Sequence, residues 1–391
     1  MHKLLVLPGD CDTFGGTLVS LSLLVSGFER NGQSQQICVL VRAGSVMEQY
    51  LKQMNQEFCL QPIVAESQRQ FLSKAIKWVN EQPKQHPLLI DNCVHRHLLL
   101  TLLIKAPALR FNRRSIYHFC HDTAASGHFL GYFARKLIFS CISPRTLCNS
   151  QFTASRIRYL MPNICGILYQ PVDLKRFNSS SLSIPPLPLK SILTLGFRVI
   201  LIPSRISNPG INNDKNLYAC ISLLAVLKEK GHNYCGIIIG EDSSPEKINS
   251  QTLQVQAKRL GVADRFFILP FAADIENYYK FADIIVALAP REPFGRTVVE
   301  AIACGVPVVG SCTGGIGEIL SQFTREWMVA PDEPFAVAEA IIQMSTNPNT
   351  SAILAEAQSW VDVECSAEAY ARKMARYTNL SVDETSGLLK Q

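Results

Sequence analysis

Residues 292–309 read Glu-Pro-Phe-Gly-Arg-Thr-Val-Val-Glu-Ala-Ile-Ala-Cys-Gly-Val-Pro-Val-Val, a loop pattern followed by a helix pattern and a strand pattern. An apolar run, Asp283–Leu288, precedes this stretch, and a second apolar run, Val306–Val309, ends it. Between them, Arg296–Cys304 has good helix formers and an apolar stripe, which predicts a helix docked on a sheet. Strand, helix and strand in this order predict a βαβ unit of a parallel sheet.

The same alternation continues along the chain in both directions. Short β-branched and aliphatic runs alternate with longer amphipathic stretches, as in parallel α/β sheets. The strand candidates are Lys3–Leu7, Gln36–Val41, Leu88–Asp91, Ser115–Phe119 and Thr146–Asn149 in the first half, and Arg198–Ile202, Cys235–Ile239, Phe266–Leu269, Asp283–Leu288 and Val306–Val309 in the second. Because 391 residues exceed one ordinary compact domain, we expect two doubly wound, Rossmann-like α/β domains.

The predicted domain limits follow from a stretch that resists regular structure. Ser179–Lys190 is rich in serine and leucine and contains three prolines, so it predicts a linker. We therefore expect a first domain over residues 1–185 and a second over residues 186–363. Residues 364–391 predict a helix at Ala367–Tyr377 and a polar tail, which pack back on the first domain.

Composition excludes several classes of protein. Charged residues make up 18% of the chain, which has no long low-complexity tract, so a disordered or fibrous protein is excluded. The net charge of +6 is too small for a nucleic-acid partner. No apolar run approaches the roughly 18 residues of a membrane span, and the N-terminus begins with a strand pattern rather than a signal peptide, so we expect a cytoplasmic location. The thirteen cysteines lack C-x-x-C spacing and predict reduced, buried thiols.

Basic residues recur among apolar ones in the first half of the chain. They are Arg110, Arg113, Arg114, Arg135, Lys136, Arg145, Arg156 and Arg158. One interpretation is a solvated basic face. The other is a peripheral contact with anionic lipid at the inner face of a membrane, since each basic residue near such a surface adds about 1 kcal/mol of attraction.

The helix predicted after Gly295 has the features of an anion site. Its first N–H groups, at Arg296 and Thr297, lack partners within the helix, and Gly295 lets a ligand approach closely. Glu292 would lie on one side of a bound diphosphate and Glu300 on the other. The two carboxylates could therefore accept hydrogen bonds from hydroxyls at opposite ends of one ligand, and a sugar nucleotide has that layout.

Residues 292–305 resemble the glutamate-x(7)-glutamate signature of glycosyltransferase family 4, whose members are retaining, nucleotide-sugar-dependent enzymes of GT-B fold. The match includes Pro-Phe-Gly after Glu292 and the closing Gly-Val-Pro-Val. The resemblance implies two Rossmann-like domains that face each other across a cleft, with the acceptor in the first and the donor in the second. It also implies a catalytic role for Glu292 and donor contacts from Phe294, Gly295, Arg296, Thr297 and Glu300.

Two basic residues of the second half are similar to the family's arginine and lysine that hold the donor diphosphate. Arg205 follows a strand, and Lys215 lies at a helix start. Both would neutralise a leaving group that gains negative charge, so we assign them catalytic roles. The intervening loop, Ile206–Asp214, is longer than is common in the family and predicts a reshaped segment. Pro270 stands where the family has a glycine beside the nucleobase, which leaves the identity of the base open.

In the first half, the resemblance assigns donor contacts to Gly15 and Gly16, which follow the first strand, and a catalytic role to His121. These glycines match neither the dinucleotide fingerprint nor a P-loop. A lone histidine is as often structural, and His118 is the competing candidate, which we assign to the strand. Cys93, His95 and His97 would make a weak zinc set, so no metal is expected.

Together with these residues, the resemblance implies a retaining, metal-independent hexosyltransferase that needs no cofactor, and UDP-glucose is the donor substrate that we expect. The acceptor would be a glycan or a lipid-linked sugar in bacterial polysaccharide synthesis. The alternatives are another GT-B enzyme, either a phosphorylase or a sugar-nucleotide epimerase, and an inactive module that binds a sugar nucleotide.

Overall fold

The computed structural model describes residues 2–93, 96–111, 113–123, 129–180, 184–207 and 215–380, without the side chains of residues 96, 97, 111, 129 and 130. The chain divides into two compact units. Unit 1 comprises Met1–Pro171 and Glu364–Gln391, and unit 2 comprises Val172–Val363. Each unit has its own parallel sheet with helices packed on it. The fold is therefore α/β with two Rossmann-like domains, as the sequence predicts.

In the described part of unit 1, seven parallel strands pair in the order β3-β2-β1-β4-β5-β6-β7. They are β1 (Leu4–Pro8), β2 (Ile37–Arg42), β3 (Leu60–Ile63), β4 (Leu88–Asp91), β5 (Ile116–Cys120), β6 (Arg145–Cys148) and β7 (Ile164–Ile167). The helices between them are α1 (Gly16–Arg30), α2 (Val46–Gln53), α3 (Gln68–Glu81), α4 (Arg96–Phe111), α5 (Phe129–Ile142) and α6 (Gln151–Ile157). The central strands are buried apolar runs, as expected of a sheet covered on both faces.

In the described part of unit 2, six parallel strands pair in the order β10-β9-β8-β11-β12-β13. The elements in chain order are α7 (Leu187–Leu193), β8 (Arg198–Pro203), α8 (Leu217–Glu229), β9 (Tyr234–Ile239), α9 (Ile248–Arg259), β10 (Phe266–Leu269), α10 (Ile275–Tyr279), β11 (Ile284–Ala287), α11 (Arg296–Ala303), β12 (Val308–Ser311), α12 (Gly314–Leu320), β13 (Met328–Val329), α13 (Pro334–Thr346) and α14 (Thr350–Cys365). The helix predicted at Arg296–Cys304 is α11, with Cys304 as its C-cap.

The linker prediction is wrong in part. Unit 2 begins at Val172, before the predicted limit at residue 185. Leu187–Leu193 forms α7, in which Pro188 occupies the first turn, where the missing N–H costs no helical hydrogen bond. Prolines that suggested a linker therefore begin a helix.

The last helix of the described chain, α15 (Ala367–Tyr377), belongs to unit 1 and packs along α1. The two helices approach closely at Gly27, where a Cβ would lie 2.0 Å from the carbonyl oxygen of Ala367. Arg30 and Glu368 add an ion pair of 3.2 Å. The chain thus returns to the first unit after completing the second.

Arg114 is not part of a solvated basic face, contrary to the sequence interpretation. It is 6% exposed, and its guanidinium donates hydrogen bonds to the carbonyl oxygens of Val79, Gln82, Pro83 and His86. Its role is to bind the end of α3 and the loop that follows.

All thirteen cysteines are free thiols, and Cys312 is the exposed one among them. Within the described residues, no helix combines the length and apolar character that crossing a membrane requires.

Candidate functional site

A cavity of about 190 Å³ opens at the edge of the unit 2 sheet where the strands reach their carboxyl ends. The strand order reverses here, because β8 pairs with β9 on one side and with β11 on the other. Open α/β sheets bind ligands at such a switch point. Arg205 follows β8 and Glu292 follows β11, and both line the cavity.

Helix α11 directs its N-terminal end at this cavity, which Arg296 and Thr297 also line. Gly295 precedes the helix with a φ of 106°, in the left-handed region that favours glycine, and no side chain caps the helix. A Cβ on Gly295 would lie 3.1 Å from Cγ1 of Ile316, so the packing also favours glycine. A helix end of this kind attracts anions through its N–H donors and its dipole.

Lys215 and Glu292 form an ion pair in the cavity, with 2.5 Å between Nζ and Oε2. Their side chains are 26% and 24% exposed, so solvent and ligands reach both. Arg205 and Arg296 complete the charged lining among the described residues, which makes the cavity cationic. Residues 208–214 of the predicted reshaped loop lie outside the described residues, but Lys215 does reach the cavity.

Asn216 fixes the backbone next to Lys215. It begins α8 in the left-handed conformation, with a φ of 53°. Its side-chain amide donates to the carbonyl oxygen of Pro331 at 2.8 Å and to Oδ1 of Asp332 at 3.0 Å. These bonds hold the start of α8 against the loop after β13 and thereby position Lys215.

Glu300 lies further along α11, outside the lining of this cavity. The hydroxyl of Tyr279 donates a hydrogen bond to Oε2 of Glu300 at 3.0 Å. Burial raises the pKa of the Glu300 carboxyl, and the positive charge of Arg296 and the Tyr279 hydrogen bond oppose that rise. Burial and the negative charge of Glu300 also hold the pKa of Tyr279 well above its ordinary value. Tyr279 is therefore a neutral donor that keeps the Glu300 carboxylate in place.

Two other predicted donor contacts lie away from the cavity lining. Phe294 is 2% exposed, so its side chain is buried rather than presented to a ligand. Pro270 is exposed directly after β10, which is separated from β8 by one strand. The structure therefore brings together Arg205, Lys215, Glu292, Arg296 and Thr297, with Gly295 behind them.

The sequence analysis did not identify Gly315 and its neighbours as part of this site. The N–H of Gly315 donates to the carbonyl oxygen of Glu292 at 2.7 Å, and a Cβ at that position would lie 2.4 Å from the carbonyl oxygen of Phe294. Thr313 donates through its hydroxyl to the carbonyl oxygen of Pro290 at 2.7 Å. This segment fixes the loop that carries Glu292. The paired glycines Gly314 and Gly315, shortly after the predicted strand Val306–Val309, were the available signal.

Unit 1 has a cavity of about 140 Å³ at the carboxyl ends of β1 and β4. Gly15 lines it together with Asp91 and Asn92, and Gly16 begins α1 beside it. Gly15 has an extended backbone with no atom within 4 Å of a Cβ placed on it. The glycine pair thus leaves open space at the start of α1.

His121 is held inside unit 1 by both nitrogens of its ring. Nε2 lies 2.7 Å from Oδ1 of Asp91, and Nδ1 lies 2.9 Å from the amide nitrogen of Gln170. Because the nitrogen of the Gln170 amide can only donate, Nδ1 of His121 accepts, and the protonated Nε2 donates a hydrogen bond to Asp91. His121 is 8% exposed. This arrangement favours the structural alternative, in which His121 positions Asp91 at the cavity.

The competing candidates of unit 1 differ in their environment. His118 lies within β5, and burial lowers its pKa to about 4, so it is neutral at physiological pH. Burial raises the pKa of the Cys93 thiol to about 12, whereas His95 and the side chain of His97 lie outside the described residues. Among the residues that are described, no three His, Cys, Asp or Glu side chains cluster to hold a metal ion.

Residues 206–377 match the family model described as "Glycosyl transferases group 1". The chain is also 28% identical over 203 residues to D-inositol 3-phosphate glycosyltransferase 2 of Catenulispora acidiphila, a match that covers 51% of this chain and 45% of that protein. The matched segment thus spans less than half of the relative's length. The second half of the chain therefore carries a group 1 glycosyltransferase domain.

Solved structures with the same fold cover nearly the whole chain. Crystal structures of Anabaena Alr3699/HepE in complex with UDP and in complex with UDP-glucose match with TM-scores of 0.75 and 0.71. Both are 21% identical to this chain. The first match covers 96% of this chain and 99% of that one, and the second covers 97% and 100%. The fold is therefore that of the GT-B glycosyltransferases.

Proposed function

We propose that this protein is a retaining glycosyltransferase of family 4 that moves glucose from UDP-glucose to a hydroxyl of a glycan or lipid-linked sugar in bacterial polysaccharide synthesis. One observation carries the proposal: Arg205, Lys215, Glu292 and the N-terminal end of α11 meet at one cavity beside the switch point of the sheet. That combination suits a diphosphate attached to a sugar. The group 1 domain and the UDP complexes of the similar structures support a nucleotide-sugar donor.

The cationic lining would act on the leaving group. As the bond between the sugar C1 and the phosphate oxygen breaks, its electron pair goes to the UDP, which gains negative charge. Arg205, Lys215 and the N–H groups of α11 would stabilise that charge. Electrostatic stabilisation of this kind is the largest contribution to the rate enhancement of many enzymes. The acceptor hydroxyl forms the new bond to C1 on the face that UDP leaves, and its proton passes to the departing phosphate.

Glu292 would change partners when the donor binds. In the structure it forms an ion pair with Lys215. A diphosphate carries more charge than one carboxylate and would draw Lys215 away, which frees Glu292 to accept hydrogen bonds from sugar hydroxyls. Glu300, oriented by Tyr279, would accept from the ribose hydroxyls.

We further propose a cytoplasmic location with a peripheral membrane contact. Nucleotide sugars are made in the cytoplasm, and thirteen free cysteines suit a reducing compartment. Because three cationic side chains and a helix end surround the cavity, we expect neither a metal ion nor a cofactor to be needed. The predicted roles of Gly15, Gly16 and His121 remain predictions, as does acceptor binding by unit 1.

A panel of UDP-, GDP- and ADP-sugars tests the proposal. We expect thermal stabilisation and nucleotide release with UDP-glucose above all others, and loss of both in Arg205→Ala. An absorbance band of a pyridoxal phosphate Schiff base would indicate a phosphorylase instead. Binding of UDP-glucose without any release, across a broad set of acceptors, would indicate an inactive binding module.

A further inference from the structure

Helices α4 and α5 expose large apolar side chains on their outward sides. Leu100 and Ile104 of α4 are 59% and 64% exposed, and Phe133 and Leu137 of α5 are 59% and 51% exposed. The two residues of each pair are four positions apart in the sequence and therefore form one ridge on their helix. The opposite sides of both helices are buried in the core of unit 1.

The two ridges belong to one surface. α4 and α5 pack against each other and link β4, β5 and β6, which are neighbours in the sheet. Successive right-handed crossovers in one direction place their helices on the same face of a sheet. Both ridges therefore point away from the same side of unit 1, and we call this surface the α4–α5 face. Exposed apolar side chains grouped on one side of a protein mark sites of contact with proteins or membranes.

Charge distinguishes between these partners. Residues 92–172 contain ten Lys or Arg residues and a single acidic residue, Asp122. This segment has nine net positive charges, whereas the whole chain has six, so the remainder of the chain is net negative. Arg110, Arg113 and Lys136 are exposed in or next to α4 and α5, and neither helix contains an acidic residue. Apolar ridges within a basic surface are complementary to a bilayer with anionic headgroups.

We propose that the α4–α5 face docks on anionic lipid bilayers, with Leu100, Ile104, Phe133 and Leu137 inserted at the level of the headgroups. The inference deepens the proposed function, because it names the surface that would bring the enzyme to a lipid-linked acceptor. Lipid binding itself does not require the transfer reaction. A second copy of the chain is the other conceivable occupant, but like charges on two such faces would repel each other.

Flotation of the full-length protein with vesicles tests the proposal. We expect binding to vesicles of phosphatidylcholine mixed with phosphatidylglycerol, and little binding to phosphatidylcholine alone. Replacing Leu100, Ile104, Phe133 and Leu137 with Gln should lower binding by about tenfold or more. The triple variant Arg110→Gln, Arg113→Gln, Lys136→Gln should lower it by about fivefold for each charge. High salt should also lower vesicle binding by the wild type, because it screens the attraction between basic side chains and anionic headgroups.

A matched variant controls for net charge. Lys258→Gln, Arg259→Gln, Arg325→Gln removes three exposed charges from unit 2 and should leave vesicle binding within about twofold of the wild type. Unchanged melting temperatures and unchanged nucleotide release without lipid would show that all variants fold. The proposal would be overturned if the control variant lost as much vesicle binding as the Arg110, Arg113, Lys136 variant. It would also be overturned if the wild type did not bind vesicles. A dimer in solution that the four Gln substitutions abolish while vesicle binding persists would overturn it as well. If the wild type bound lipid but released no nucleotide from any donor, the proposed function would be refuted and the lipid-binding proposal would stand.

Discussion

Lys215 reaches across the unit 2 cavity to Glu292, 77 residues later in the chain, and the two charged atoms lie 2.5 Å apart. Each residue follows a different strand end, so the pair joins the two sides of the switch point. In the proposed function, donor binding separates this pair. The ion pair therefore opposes binding of a free nucleotide and keeps the lysine in place until a diphosphate arrives.

Removing the charge of Glu292 should separate binding from turnover. In Glu292→Gln, Lys215 loses its partner, so affinity for free UDP should stay equal or rise by up to about fivefold, the range of partly exposed ion pairs. The rate of nucleotide release from UDP-glucose should fall, because the sugar loses a charged acceptor. Calorimetry and release assays measure the two effects. The control Glu356→Gln, at an exposed position of α14, should change neither. A large loss of UDP affinity in Glu292→Gln would contradict the exchange of partners.

Glu300→Ala should mainly weaken nucleotide binding. Loss of hydrogen bonds to a charged acceptor costs roughly 1.5–3 kcal/mol, which corresponds to a loss of affinity of about tenfold or more. Free UDP should lose affinity along with UDP-glucose, as measured by calorimetry. If the mutant bound free UDP as tightly as the wild type, Glu300 would have no place at the ribose.

The pH dependence of UDP affinity should depend on Tyr279. Burial raises the pKa of Glu300, and the Tyr279 hydrogen bond opposes that rise. In the proposed function the ionised Glu300 carboxylate accepts from the ribose hydroxyls, so UDP affinity should fall as the pH drops through the pKa of Glu300. In Tyr279→Phe the opposing hydrogen bond is absent, so the decline should begin at a higher pH than in the wild type. Identical pH profiles of the UDP Kd would show that Tyr279 only fills space.

Chelation of divalent ions should leave activity intact. In the proposed function, Arg205, Lys215 and the end of α11, which line the cavity, supply the positive charge that a metal ion supplies in other transferases. Nucleotide release should therefore be the same with and without EDTA. Complete loss with EDTA, restored by manganese, would mean that these residues do not neutralise the diphosphate.

The central strands of both sheets could be predicted from sequence because they are continuous apolar runs. The strands that the prediction lacked are β3, β7 and β13, and each lies at the edge of its sheet. Edge strands have fewer covering neighbours: β7 is only partly buried throughout, and β3 has an exposed proline, Pro62. Their sequences give a weaker strand signal than the central runs: β3 contains Gln61 and Pro62, β7 contains Gly166, and β13 has only two residues.

The sequence predicted which charged residues line the cavity, but not which side chains of the site contact each other. Glu292, Gly295 and the start of α11 are adjacent in sequence, so one local pattern places them together. The pairing of Lys215 with Glu292 and of Tyr279 with Glu300 depends on which strands are neighbours, and no local pattern contains that information. For the same reason, the bonds of His121 to Asp91 and Gln170 were not foreseen.

The central claim is that the cavity holds the donor diphosphate and stabilises the leaving group, and the turnover of Arg205→Ala and Lys215→Ala tests it most directly. Charge on the leaving phosphate grows as the glycosidic bond breaks, so the attraction of both side chains is greatest in the transition state. We predict that each substitution lowers kcat for nucleotide release by about a hundredfold or more, roughly 2.7–4 kcal/mol, while donor Kd from calorimetry rises less. Wild-type kcat in both mutants, at saturating UDP-glucose and with chemistry shown to be rate-limiting, would contradict the claim.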